Sequence, residues 1–209
     1  IFILDDVAFA SHLRMEGKYH ILSKDIPSDK HTHVAFHLKN EDLRYIDTRK
    51  FGRMQLVDKK TYRQQLPLKK LGKEPFDIET EVLYQLLHQT SLPIKTALLN
   101  QTIMCGIGNI YANEICFAMK IDPRTKSSRL SKKRVDELRR ISIDVLNKAI
   151  AQGGTTIHSF DANGIHGLFQ LQLNVHGQKI CPLCQGEVKK IMLNQRGTYY
   201  CPHCQKKRY

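Results

Sequence analysis

Four cysteines stand in two pairs, Cys181-Pro-Leu-Cys184 and Cys201-Pro-His-Cys204, with sixteen residues between them. Thiolates ligate borderline-soft cations, and two such pairs at this separation predict a tetrahedral zinc site. Each pair would grip one side of the ion while the intervening hairpin closes over it. Disulfides and redox dithiols are the alternatives. The first suits an oxidising compartment, and the opening Ile1-Phe2-Ile3-Leu4-Asp5-Asp6 carries no signal-peptide pattern. The second wants a βαβ context, which the pattern around the cysteines lacks. Four protein ligands leave no open position for a substrate, so the metal is expected to build structure rather than react. A segment of fewer than about 40 residues needs such a staple to fold. Cys105 and Cys116 lie apart from this group and read as small core hydrophobes.

Between the two pairs the chain is basic and polar: Lys189, Lys190, Asn194, Gln195, Arg196 and Thr198, then Tyr199 and Tyr200. Each alone is a solvated surface group. The whole chain, however, has 33 Lys and Arg against 20 Asp and Glu, a net charge of +13 over 209 residues. That excess favours a polyanionic partner, and the hairpin cluster reads as phosphate contacts with Arg196, beside Gly197, projected at the turn. An anionic membrane surface, the second such partner, drops out because no helix pairs a Lys-rich face with a bulky apolar one. A spanning helix is excluded, since Asn100, Gln101 and glycines break the charge-free run from Thr96 to Asn113.

A third constellation runs Asn100-Gln101-Thr-Ile-Met-Cys-Gly106-Ile-Gly108-Asn109-Ile-Tyr111. Gly106 and Gly108 permit close approach of another backbone. Asn109 is expected to cap the next helix, leaving exposed N–H groups and the positive dipole end for a phosphate. An ordinary interhelical turn explains the same glycines equally well.

These groups need a scaffold, and the hydrophobic periodicity supplies one. Residues 1 to about 57 read as strands: Val7–Leu13, Tyr19–Leu22, His31–Leu38, Leu43–Asp47 and Met54–Val57. In the third, Val34, Phe36 and Leu38 alternate with His33, Ala35 and His37. From about 61 to 153 the period becomes helical: Glu79–Gln89, Pro93–Met104, Asn109–Met119 and Arg129–Gln152. The last carries a stripe of Val135, Leu138, Ile141, Val145, Leu146 and Ile150, with Ser131 as N-cap and Gly153-Gly154 as stop. Residues 155–172 read as a loop, and 173–209 as a small Cys-, Lys- and Gly-rich module. The length fits one to two compact units.

Taken together, the motifs resemble those of the formamidopyrimidine-DNA glycosylase family across essentially the whole chain. The residues that carry the resemblance are His12-Leu-Arg-Met15-Glu-Gly17, Lys30-His31-Thr-His33, Asp47-Thr-Arg49-Lys-Phe51-Gly52 and Leu71-Gly-Lys-Glu74-Pro75. Gly106-Ile-Gly108-Asn109-Ile-Tyr111, Gly153-Gly154-Thr-Thr156 and the four-cysteine finger with Gln195-Arg196-Gly197 complete them. The resemblance implies an α+β multidomain fold: an incomplete N-terminal β-sandwich over 1–60, a helix–two-turn–helix domain over 61–160, a lesion-capping loop and linker over 161–174, and a zinc finger over 175–209. One structural zinc ion is the implied cofactor. The implied partner is double-stranded DNA with an oxidised purine or an abasic site, bound by a monomer. The implied setting is the bacterial cytoplasm, at the nucleoid.

The resemblance also assigns roles. Met15, Arg49 and Phe51 match the trio that fills the hole left by an everted base and wedges the opposite strand. His31 and Arg49 match DNA-contacting positions, and Lys95, Asn109 and Tyr111 belong to the same DNA-binding set. Arg196 matches the finger arginine that assists the final elimination, and Thr155–Gln172 matches the loop that covers the everted base. The family's nucleophile is an N-terminal proline followed by a glutamate general acid, with a lysine on an early strand. None has a counterpart here, so the reading expects a chain whose beginning is missing and which excises no base by itself. An endonuclease VIII-type enzyme for oxidised pyrimidines, and a non-catalytic damaged-DNA-binding module, are the alternatives.

Overall fold

The computed structural model describes residues 1–154 and 172–207. They divide into two compact units, Ile1–Lys69 and a second formed by Lys70–Gly154 with 172–207. Residues 155–171, which include nearly all of the segment expected to cover an everted base, lie outside the described residues.

The first unit holds two three-stranded antiparallel sheets. One has the order β1 (Phe2–Ile3), β2 (Ala8–His12), β6 (Arg53–Val57); the other has the order β3 (Lys18–Ser23), β5 (Glu41–Ile46), β4 (Thr32–His37). Alternation in β4 follows the sequence pattern: Val34 and Phe36 are half-buried while His33, Ala35 and His37 are exposed. Aromatic rings pack within each sheet and, through Phe9 and Phe36, between the two. Phe9 stacks on Phe2 at 4.6 Å and on Phe36 at 5.0 Å, and Tyr19 lies 5.3 Å from Tyr45.

The second unit is helical, with α1 (Thr80–His88), α2 (Ile94–Leu99), α3 (Asn109–Ala118) and α4 (Lys132–Ala151), followed by a hairpin of β7 (Lys189–Leu193) and β8 (Arg196–Tyr200). Its core gathers Leu83, Leu87, Ile94, Leu98, Met104, Ile115, Cys116, Val135 and Leu138. Ser131 does cap α4, its hydroxyl accepting from the Arg134 amide at 3.4 Å. Gly153 and Gly154 stop the helix at φ 69° and 83°.

Three details differ from the sequence expectation. Helix α2 stops at Leu99 rather than Met104, because Asn100 leaves helical geometry and its side chain accepts from the amide and hydroxyl of Thr102. Ile150 is 68% exposed, and Ala149 is buried in its place at the frayed end of the stripe. Cys116 is a core residue, whereas Cys105 is only half-buried. Among the described residues, no helix is long and apolar enough to cross a membrane.

Candidate nucleic-acid interface and metal centre

In the first unit the expected DNA-contacting residues sit on adjoining turns. The tip between β2 and β3 carries Met15, 68% exposed, after Arg14 in the left-handed region. The loop between β5 and β6 carries Arg49 and Phe51, with Lys50 left-handed at φ 58° and Phe51 55% exposed. The Arg49 guanidinium lies 4.7 Å from the Phe51 ring centroid and 3.7 Å from Glu16 Oε1. The Thr48 hydroxyl donates to the other oxygen of Glu16, so one carboxylate ties the two tips together. His31 is half-buried just before β4, and its carbonyl accepts from the Asp47 amide at 3.0 Å.

The loop that presents Arg49 and Phe51 is folded around Asp47, which is 1% exposed. Asp47 Oδ1 accepts from the Arg49 amide at 3.0 Å, and Oδ2 accepts from the Gly52 amide and the Tyr45 hydroxyl, each at 2.9 Å. Burial raises the pKa of this carboxyl, but hydrogen bonds from Gly52, Tyr45, Arg49 and Lys50 outweigh it and hold Asp47 below the ordinary carboxylate value. Burial, then Asp47, push Tyr45 up to about 12, so its hydroxyl stays a donor at neutral pH. A Cβ at Gly17 or Gly52 would overlap that hydroxyl, which explains a glycine at both places.

In the second unit the finger hairpin meets the turn before α3. Asn194 and Gln195 take left-handed geometry at φ 46° and 61° and form the two-residue turn, so Arg196 opens β8 opposite Leu193 rather than sitting at the tip. Arg196 is exposed and lines an open cleft of about 490 Å³ with Asn194, Gly108, Asn109, Asn100 and Gln101. The N-cap of α3 is Gly108, with no side chain capping it. Asn109 therefore does not cap its helix. Its Oδ1 accepts from Lys95, and its Nδ2 donates to the Gly197 carbonyl at 3.2 Å. Tyr111 is partly buried against the helical core.

Lys95 is not an exposed cation. It is 1% exposed, and its ammonium donates to Asn109 Oδ1 at 2.7 Å, the Gly197 carbonyl at 3.0 Å and Thr198 Oγ1 at 2.7 Å. Three donors meet three acceptors, which is what makes burying this charge tolerable. Burial pushes Lys95 down to about 8; Cys116 opposes the shift and Arg196 adds to it.

Two roles here escape the sequence reading. Gln101 Nε2 donates to the Ile107 carbonyl while its Oε1 accepts from the Gly106 amide, so one amide side chain shapes the turn between helices. Glu114, buried in α3, accepts from the amides of Asn174, Val175 and His176 and anchors the start of the finger. A glutamate between the apolar Ala112 and Ile115 was the available signal.

The four cysteine sulfurs lie within 4.8 Å of one another. Zinc–sulfur bonds of about 2.3 Å set tetrahedral sulfur–sulfur edges of about 3.8 Å. Cys181 and Cys204 are 3.8 Å apart and Cys184 and Cys201 3.5 Å, across the two pairs, and none is disulfide-bonded. The donor set fits one zinc ion held by Cys181, Cys184, Cys201 and Cys204, closed to substrate. Phe117 of α3 packs with Val175, Val188, Cys181 and Cys201, so the metal module shares a core with the helix.

Three family descriptions match successive parts of the chain. They are the formamidopyrimidine-DNA glycosylase N-terminal domain over residues 1–54, its H2TH domain over 71–161, and the zinc finger found in FPG and IleRS over 178–207. The formamidopyrimidine-DNA glycosylase of Lactobacillus helveticus is 44% identical over 207 residues, covering 96% of this chain and 75% of that relative. The chain belongs to the formamidopyrimidine-DNA glycosylase family. The namesake from Exiguobacterium sibiricum is also 44% identical, over 98% of this chain and 76% of its own length.

Solved structures agree. A Lactococcus lactis Fpg complex with abasic-site DNA superposes with a TM-score of 0.89 at 37% identity, covering 97% of this chain and 76% of the other. A mutant of the same protein with Fapy-dG DNA gives 0.89 at 36% identity over the same shares. The fold is accordingly that of the family: an N-terminal β-sheet domain, a helical H2TH domain and a terminal zinc finger.

Proposed function

We propose that the protein is a base-excision repair enzyme, a DNA glycosylase and AP lyase that removes oxidised purines such as 8-oxoguanine from duplex DNA. The observation that carries this reading is the exposed Met15, Arg49 and Phe51 on two turns tied by Glu16, in a chain of the family whose solved members hold abasic and Fapy-dG DNA. The apolar pair has the shape to replace a lost stacking partner, and the guanidinium has the donors to pair with the orphaned base.

His31 joins this surface. In the second unit, taken by itself, Arg196, Asn109 and the uncapped N-terminus of α3 form a phosphate-binding site, and Lys95 acts through Asn109 and the hairpin rather than through a donor of its own. Tyr111 supports α3 from the core side. We assign Arg196 to the elimination step as well, where its charge would steady the departing phosphate. Zinc, when bound, supplies structure alone. The attacking amine is assigned to none of the described residues. The domain boundaries 1–60, 61–160, 161–174 and 175–209 and association with the bacterial nucleoid belong to the same reading.

The test is excision from duplexes that carry either an oxidised purine or an oxidised pyrimidine, with borohydride present in a parallel reaction. The reading expects release of the purine and a covalent protein–DNA adduct where the family's attacking amine is supplied, and binding without excision by the described residues alone. Preference for the pyrimidine would support the endonuclease VIII type instead, and binding without an adduct by protein supplied with that amine would support a non-catalytic module.

A further inference from the structure

We propose that Asp47, with Tyr45, is a positioning residue for lesion recognition: its carboxylate preforms the loop that aims Arg49 and Phe51, so the wedge is rigid before DNA arrives. The proposal rests on reading Arg49 and Phe51 as that wedge.

The geometry is specific to this task. Asp47 spends its carboxylate on the amides on both sides of the exposed pair, Arg49 before and Gly52 after, which closes the loop into one fixed bend. Lys50, between them, is held left-handed at φ 58°, a conformation unfavourable for a lysine unless the surroundings impose it. The Tyr45 hydroxyl donates to the same carboxylate and lies where a Cβ at Gly17 or Gly52 would fall. Gly17 belongs to the turn that carries Met15, so the tyrosine also fixes the spacing of the two turns. His33 Nε2 meets the Asp47 carbonyl at 2.8 Å and holds the backbone from a third side.

A flexible loop would have to order itself around each damaged site. That cost would be subtracted from binding at a vacancy but not from binding through phosphates. The arrangement therefore predicts a loss of discrimination rather than a loss of general DNA affinity. Asp47→Asn is the sharper variant, because an amide of the same shape keeps one acceptor oxygen but sets its NH2 against the partner of the other, where a backbone N–H cannot accept. Tyr45→Phe is milder, removing one donor and leaving the backbone bonds.

The experiment measures binding of the full protein to duplexes with and without an abasic analogue, with 2-aminopurine opposite the vacancy to report unstacking. Wild type should brighten the probe and prefer the abasic duplex. Asp47→Asn should lose about tenfold of that preference and most of the brightening, with affinity for intact duplex little changed and the melting temperature lowered by a few degrees. Tyr45→Phe should lose about threefold. Full retention of preference and signal in Asp47→Asn overturns the proposal, and so does an equal loss on both duplexes accompanied by a lower melting temperature. If Asp47→Asn does not fold, an unchanged Tyr45→Phe overturns it. Wild type that neither brightens the probe nor prefers the vacancy removes the underlying reading instead.

Discussion

The ammonium of Lys95 lies 2.7 Å from the hydroxyl of Thr198, 103 residues further along the chain, and this bond fastens the finger hairpin to the helical core. The same nitrogen reaches Asn109 and the Gly197 carbonyl, so one buried cation holds Asn109 and the hairpin strand next to Arg196 together.

Replacing that cation should separate binding from stability. Removing a buried charge relieves its desolvation cost while it leaves three acceptors short of a donor, so Lys95→Met should change stability by no more than about 2 kcal/mol. Affinity for duplex should fall about tenfold as Asn109 and Arg196 lose their fixed places. Denaturant unfolding and titration with labelled duplex, on the same preparation, check both.

The pH dependence has a defined sign. Lys95 titrates at about 8 in the fold, below an unfolded value of about 10.4, so between these values the unfolded chain binds the extra proton. Its contribution to stability therefore rises with pH across that window and is flat below it, by no more than about 3 kcal/mol. Comparing wild type with Lys95→Met from pH 7 to 10 isolates this group; a difference that falls with rising pH would contradict the assignment.

Zinc removal should act locally first. The cluster of Phe117, Val175, Val188, Cys181 and Cys201 depends on the ion, whereas the helical core around Leu83, Ile94, Ile115 and Leu138 does not. A chelator, or Cys201→Ser, should release one zinc per chain and abolish tight DNA binding while most helical circular dichroism persists.

Arg196 is exposed, so its contribution should be electrostatic. Arg196→Ala should weaken binding similarly across duplex sequences and lower the salt slope by about one charge. Binding at several salt concentrations measures it.

How much of this was legible in the sequence depends on the range of each interaction. The metal ligands are defined by two local spacings, and period-2 and helical patterns located the strands and most of α4. Lys95 could not be read as buried, because its acceptors at Gly197 and Thr198 lie more than a hundred residues away. Asn109 looked like a cap from its place beside two glycines, yet long-range partners engage both ends of its amide. Asp47 sat in a quoted motif, but its role needed Tyr45 and two glycines in space. Sequence spacing reports local geometry, whereas tertiary hydrogen bonds decide which polar groups remain free for a ligand.

The central claim, that this surface grips duplex DNA around a vacated base, is tested most directly by competition between an abasic-analogue duplex and its intact counterpart for the zinc-loaded protein at about 0.1 M salt. The account predicts at least about a thousandfold preference for the vacancy, the lower end of the range of specific over non-specific DNA binding. Equal affinity for the two duplexes would contradict it.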